Sequence, residues 1–325
     1  MLTTTVARRV TDVNVARPRR LRTMTSVAAR LTPRLAGRLA TDAFSVTRTP
    51  GVAPDDVVPL GARRIVVTGD PDVTSAFVWE AGGAGGTGRD GGTGPPEGTA
   101  GPTALLVHGW RVDSSCMSPL VAPLRRLGLR VVAFDAPGHG IWQGTQATMA
   151  EMARAVGNVA DTLADTVGDV RAVVAHSVGC LAALAAVARR PGLRLDAVVL
   201  VSPVADLSHV VERWAVAERG LARAVVDEMY RELAERNGVP TSHWDVGTLG
   251  PGLGAPVLVA HDPDDDVVAY SEGELTAAAL GAPPVVPLPG GGHWRALASP
   301  VLAEAVTEFL SKHVLSVPEH RGSGR

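Results

Sequence analysis

The stretch Val170-Arg171-Ala172-Val173-Val174-Ala175-His176-Ser177-Val178-Gly179-Cys180 leaves a chain few ways to fold. A β-branched run ends in a serine set among small residues. An alanine-rich helix former, Leu181 to Ala188, follows at once. The pattern predicts a strand, a tight turn with Ser177 at its apex, and a helix. A turn that sharp drives Ser177 toward strained backbone angles. Ala175 and Gly179, two residues either side, let strand and helix approach closely. The hydroxyl then stands clear of the sheet, with a helix N-terminus behind it to favour negative charge. The form is G-x-S-x-G with alanine in place of the first glycine. A buried strand that happens to end in serine would read the same way, so the rest of the chain has to discriminate.

Downstream lie a candidate acid and a candidate base, in the order Ser, Asp, His. Pro256 to Ala260 reads as a buried strand running into His261-Asp262-Pro263-Asp264-Asp265-Asp266-Val267-Val268. Pro284 to Leu288 reads as another, running into Pro289-Gly290-Gly291-Gly292-His293-Trp294. Each candidate follows a strand's C-terminal end, where open parallel sheets place their sites. A serine hydroxyl is a poor nucleophile until a histidine takes its proton. A carboxylate must then orient and stabilise the imidazolium.

Thr103 to Val107 is a third strand, ending in His108-Gly109-Trp110. With this piece the chain resembles the α/β-hydrolase family of serine hydrolases, in its esterase and lipase-like branch. The other matching pieces are Asp135-Ala136-Pro137-Gly138-His139-Gly140, Ala175-His176-Ser177-Val178-Gly179, Asp265-Asp266-Val267-Val268 and Gly292-His293-Trp294. All five occur in family order, within residues 60 to 314. The resemblance implies Ser177 as nucleophile, His293 as base and Asp265 as acid. It implies an oxyanion hole made by the backbone N–H groups of Trp110 and Val178. It also implies a mostly parallel eight-stranded sheet flanked by helices, with a small helical cap.

The remaining candidates are weighed against that pattern. Asp262, Asp264, Asp265 and Asp266 crowd one loop, and several could reach a cleft. The family spacing, Asp three residues before a valine, selects Asp265 through Val268. Asp206, after the preceding strand, is the alternative. Asp262, Asp264 and Asp266 also resemble the start of a calcium loop, but Val267 and Gly273 stand where that loop needs glycine and glutamate. His108, His139 and Asp135 read as structural, His176 as packing under the elbow, and His261 as a support of the acid loop. Trp110, Trp142 and Trp294 fall on the site loops and Trp214 and Trp244 in the cap. The substrate pocket is expected to use Trp142, Trp214, Trp244 and Trp294. The alternative is that these indoles wedge cap against core.

The 325 residues suit one large α/β domain with an insertion. Net charge is −2, which argues against a nucleic-acid partner. The first 50 residues hold ten arginines against Asp12 and Asp42, a net of +8. Arg8-Arg9 is followed by no apolar run of a signal peptide. Membrane contact by this basic segment is not expected, and a cytoplasmic location is. Cys116 and Cys180 suit a reducing compartment better than a disulfide framework. No metal or other cofactor is expected.

The expected organisation starts with a disordered basic tail, 1–24. The core spans 25–206 and 250–315, opening with a helix from about Thr25 to Phe44 that Pro33 would kink or divide. Residues 81–101 hold ten glycines and form a flexible loop; they lack the G-x-x-x-x-G-K of a phosphate loop. About 55 residues separate the strand ending at Val201 from the one at Pro256, too many for one crossover helix. There the amphipathic stretch His209 to Arg236 is the heart of the cap, 207–249. The last helix, Pro300 to Val314, is expected to bury Val301, Leu302, Ala305, Val306, Phe309 and Leu310. A second disordered tail, 316–325, closes the chain.

The implied activity is hydrolysis of a small-molecule carboxylic ester, or thioester, through an acyl-enzyme. Hydrophobic acyl or aryl groups would be preferred. Thioesterase, C–C bond hydrolase and acyltransferase chemistry use the same triad. A catalytically silent ligand-binding receptor is the rival outside enzymes.

Overall fold

The computed structural model describes residues 32–48, 57–82, 101–142 and 144–316. The basic tail 1–24, most of the glycine-rich stretch and nearly all of the C-terminal tail lie outside these residues, as do the opening turns of the helix expected from Thr25.

Eight strands form one sheet in the order β1-β2-β4-β3-β5-β6-β7-β8. β1 (Arg63–Val66) and β2 (Ser75–Trp79) pair antiparallel, and β2 pairs antiparallel with β4 (Arg130–Ala133). All other pairings are parallel: β4 with β3 (Thr103–Val107), β3 with β5 (Val170–His176), β5 with β6 (Ala197–Val201), β6 with β7 (Val257–His261), and β7 with β8 (Val286–Pro287). The central strands are apolar along their length because both faces are covered. Side chains alternate between faces. Leu105, Val107, Val173, Ala175, Val198 and Leu200 enter one core layer. Ala104, Leu106, Ala172, Val174, Ala197 and Val199 enter the other.

Helices fill the crossovers. α1 (Pro33–Phe44) precedes the sheet, and α2 (Ser118–Arg126) joins β3 to β4. α3 (Met149–Thr166) joins β4 to β5, and α4 (Gly179–Ala188) joins β5 to β6. Thr148 caps α3 by accepting from the N–H of Glu151, whose carboxylate answers the Thr148 N–H. Between β6 and β7 come α5 (Leu207–Glu212), a π turn (Arg213–Glu218), α6 (Arg223–Asn237) and the short α7 (Val246–Leu249). α8 (Tyr270–Ala279) follows β7, and α9 (Gly292–Arg295) and α10 (Pro300–Leu310) close the fold.

The described helix α1 begins at Pro33, where a first-turn proline loses no helical hydrogen bond, and the turns expected before it lie outside the described residues. A π turn and Gly220, at φ 62°, divide the helical stretch His209 to Arg236. Two local expectations are corrected. β8 pairs over only two residues, since Pro287 carries no N–H to extend the ladder. Val301 is exposed; the buried stripe of α10 is Leu302, Val306 and Leu310 at i, i+4 and i+8, with Ala305 and Phe309 partly buried beside it.

Candidate active site

Ser177 sits where β5 turns into α4, with φ 57°, in the left-handed region that non-glycine residues rarely occupy. Its N–H donates to the carbonyl of Val201 on β6 at 3.0 Å, which pins the turn to the sheet. Close approach explains the glycine at 179. A Cβ there would lie 2.4 Å from the carbonyl oxygen of His108. Gly109 is constrained in the same way, since a Cβ would lie 2.9 Å from that of Ser177. Ala175 is fully buried, so the site accommodates a methyl where the motif has glycine.

A hydrogen-bonded chain runs from this serine into the fold. Ser177 Oγ lies 3.0 Å from His293 Nε2, and His293 Nδ1 lies 2.7 Å from Asp265 Oδ2. All three residues are buried. His293 belongs to α9 and Asp265 to the loop after β7. Asp265 Oδ1 accepts the N–H groups of Val267 and Val268 at 2.8 and 2.9 Å. The spacing of Asp265 to Val268 is thus one turn of loop closed on its own carboxylate. Burial alone would raise the Asp265 carboxyl. Hydrogen bonds from His261 and His293, with the Val268 N–H, outweigh it and hold the group well below the usual carboxylate range. Such a chain can pass a proton from the hydroxyl to the imidazole while the carboxylate stabilises the imidazolium.

Three buried groups brace the chain. His261 Nε2 lies 3.2 Å from Asp265 Oδ2 and 3.0 Å from the Val268 carbonyl. Asp262 accepts the N–H of Gly292 and so ties the acid loop to the histidine loop. His176 Nε2 donates to the backbone carbonyl of His293 at 3.0 Å, its ring 4.7 Å from that of His293. Burial, and then the His293 charge, pushes the His176 pKa down to about 3. A neutral ring therefore lies beside the imidazole whose protonation changes. His108 accepts the N–H of Ala136 at Nε2 and donates from Nδ1 to Gly109. Asp135 accepts from the N–H groups of Ser114 and Ile141. Asp206 lies apart: it caps α5 by accepting the Ser208 N–H at 2.7 Å and has no contact with His293.

Ser177 and His293 open on a cavity of about 500 Å³, a size suited to a small organic ligand. Trp110 and Val178 line it beside the serine, and among the described residues neither backbone N–H has an acceptor. Trp214 and Trp294 also line it. The other two tryptophans expected there do not. Trp244 is fully buried in the core, and Trp142 is turned away by a 2.7 Å hydrogen bond from Nε1 to the Asp135 carbonyl. The sequence reading missed Phe44, Ser45 and Arg111, which line the cavity as well. They arrive from the end of α1 and from the residue after Trp110, and no motif marks them. Cys116 and Cys180 are free thiols away from the cavity lining.

Comparison with known proteins agrees with this fold. A hydrolase family model described as serine aminopeptidase, S33, matches residues 100–245. Esterase YjfP of Escherichia coli is 28% identical over 189 residues, covering 53% of this chain and 71% of that protein. The esterase Pf2001 of Pyrococcus furiosus superposes with a TM-score of 0.55 at 18% identity, over 81% of this chain and 99% of that one. Est1E of Butyrivibrio proteoclasticus gives 0.57 at 17%, over 78% and 99%. The order of the eight-stranded sheet and these structural neighbours give the chain the α/β-hydrolase fold, and in sequence it is similar to a hydrolase family over residues 100–245 and to an esterase over about half its length.

Proposed function

We propose that the protein is a serine hydrolase that cleaves a carboxylic ester through an acyl-enzyme. The observation that carries this reading is the hydrogen-bonded chain Ser177–His293–Asp265 ending in a cavity beside two unpaired N–H groups. His293 Nε2 takes the Ser177 proton as Oγ bonds to the ester carbonyl carbon. The N–H groups of Trp110 and Val178 stabilise the oxyanion, each typically worth about 3 kcal/mol. Collapse breaks the bond to the alkoxide, which leaves with the proton from His293. Water then attacks the acyl-enzyme, gives a proton to His293, and releases the acid as that proton returns to Ser177. Throughout, Asp265 stays ionised and holds His293 in the tautomer that presents Nε2 to serine.

The residues between β6 and β7, 207–249, act in this reading as a helical cap over the catalytic groups. Phe44, Trp110, Trp214 and Trp294 make much of the wall apolar and aromatic. That supports acyl or aryl groups bulkier than acetyl. Est1E, a structural neighbour, has been captured with ferulic acid, an aromatic acid. Labelling with a neutral fluorophosphonate, followed by peptide mapping, tests the core of the proposal. Modification at Ser177 is expected, with loss of para-nitrophenyl butyrate hydrolysis. An unmodified Ser177 in folded protein rejects it. Parallel aryl ester, thioester and lactone panels separate ester hydrolysis from its relatives.

A further inference from the structure

Arg111 enters the largely apolar cavity without an ion-pair partner among the described residues. It follows Trp110 directly, and its backbone stands at φ 62°. Its Nε donates to the Val46 carbonyl at 3.1 Å, and the same oxygen accepts Trp110 Nε1 at 3.0 Å. One carbonyl thus anchors both residues. The two terminal nitrogens of Arg111 have no acceptor and no ion-pair partner among the described residues.

The surroundings do not supply a hidden counter-ion. Arg213 also lines the cavity, and Arg219 lies 5.2 Å over the Trp214 ring. Glu218 is drawn to Arg213, at 3.4 Å, and Glu272 accepts the Ala205 N–H and pairs with His209. Each of the three guanidinium nitrogens of Arg213 already has an acceptor: Glu218, and the carbonyls of Val267 and Asp266. Arg111 and Arg213 therefore share the field of Glu218, and only Arg213 is within ion-pair distance of it. Burial, then repulsion by Arg219, lowers the Arg111 pKa despite Glu218, yet a guanidinium remains charged at neutral pH. A partly desolvated cation with two free NH₂ groups lacks what a carboxylate provides, two oxygens at matching spacing.

We propose that Arg111 is a specificity-determining residue that binds a free carboxylate carried by the ester substrate. Resting on the hydrolase reading above, this narrows the substrate class to esters with a second, anionic end: a carboxylate in the cavity beside Arg111, apolar substrate carbons against Trp214 and Phe44, and the ester at Ser177.

Two matched pairs test it. On the acyl side, para-nitrophenyl hemiglutarate is compared with para-nitrophenyl valerate. On the leaving-group side, the butyryl ester of para-hydroxybenzoate is compared with that of para-hydroxybenzamide. In one pair the wild type is expected to favour the anionic ester by about tenfold or more in kcat/KM, chiefly through KM. Arg111→Met should collapse that ratio toward one, and Arg111→Lys should restore part of it. Glutarate should inhibit the wild type competitively and glutaramide should not, which needs no variant to fold. If Arg111 only anchors Val46, its variants lower both esters alike and leave the ratio unchanged, and the inference is overturned. It is also overturned if neither pair is discriminated while the fluorophosphonate still labels Ser177. Absence of that labelling instead removes the hydrolase reading on which it rests.

Discussion

Ser177 and Trp214 face the same cavity and are held there in different ways. Ser177 stands between a strand and a helix, in a turn tied to β6 and closed by glycines that admit no side chain. Its partners are braced by His176, His261 and Asp262, all fully buried. Trp214 lies in a π turn of the helical stretch between β6 and β7. It is held by ring contacts, Phe44 edge-on at 5.4 Å and Arg219 above, and its buried Nε1 has no hydrogen-bond partner among the described residues. Ser177, His293 and Asp265 are positioned by directional bonds between sheet termini, while the wall is positioned by packing. Directional bonds tolerate little change, whereas packed walls can be repacked with modest loss. The first region should govern whether chemistry occurs and the second which substrate undergoes it.

The largest expected effect is on the serine. Ser177→Ala should lower kcat by a thousandfold or more, on the order seen when a triad serine is removed, with the melting temperature nearly unchanged. Retention of a tenth of wild-type turnover would remove Ser177 from its role. Asp265→Asn should cost about 10³- to 10⁴-fold. An amide there still accepts from Val267 and Val268 with its oxygen, and so turns its NH₂ toward His293, favouring the wrong tautomer. Asp206→Asn should change turnover little, because asparagine caps a helix as well as aspartate does. The opposite ranking would return the acid to the earlier strand.

The two tryptophans of the β6–β7 stretch divide the wall from the core. Trp244→Ala should destabilise the protein by about 3–5 kcal/mol, read by urea unfolding, and leave chain-length preference alone. Trp214→Ala should do the reverse, shifting preference among acyl chains several-fold with phosphonate labelling of Ser177 retained. A shifted profile in the Trp244 variant only would contradict the placement of the cavity wall.

The smallest effect tests the buried histidines. Burial foremost lowers His139 and His176 from 6.5 to about 3. The unfolded chain then binds protons that the folded one refuses. The stability each neutral ring contributes is present in full above pH 6.5 and is lost as pH falls toward 3. In that window each group adds a slope of about 1.4 kcal/mol per pH unit. Chemical denaturation from pH 6 to 4 should show a shallower loss in His139→Gln than in wild type, by about one proton. Equal slopes would mean that His139 is protonated in the folded protein.

Much of the fold was legible because local patterns encode it. Apolar strands alternating with helices imply a covered parallel sheet. The elbow, the Asp265–Val268 loop and the glycine before His293 carry backbone requirements that few other residues satisfy. Elements set by packing at a distance were not legible. Trp142 and Trp244 have the same composition signal as Trp214 and Trp294, yet an Asp135 carbonyl captures one and the core encloses the other. Val301 is as apolar as Leu302, but one position around a helix turns it to solvent. Sequence by itself therefore determined the order of the chemical groups and the strand ends that carry them, since each is written in adjacent residues. Tertiary structure alone decided which aromatics reach the cavity, that Val46 anchors Trp110 and Arg111, and that Arg111 lacks a partner among the described residues. The Val46 anchor joins residues 64 and 65 positions apart, and even the capture of Trp142 by Asp135 turns on how a loop folds, so no local pattern constrains either pairing.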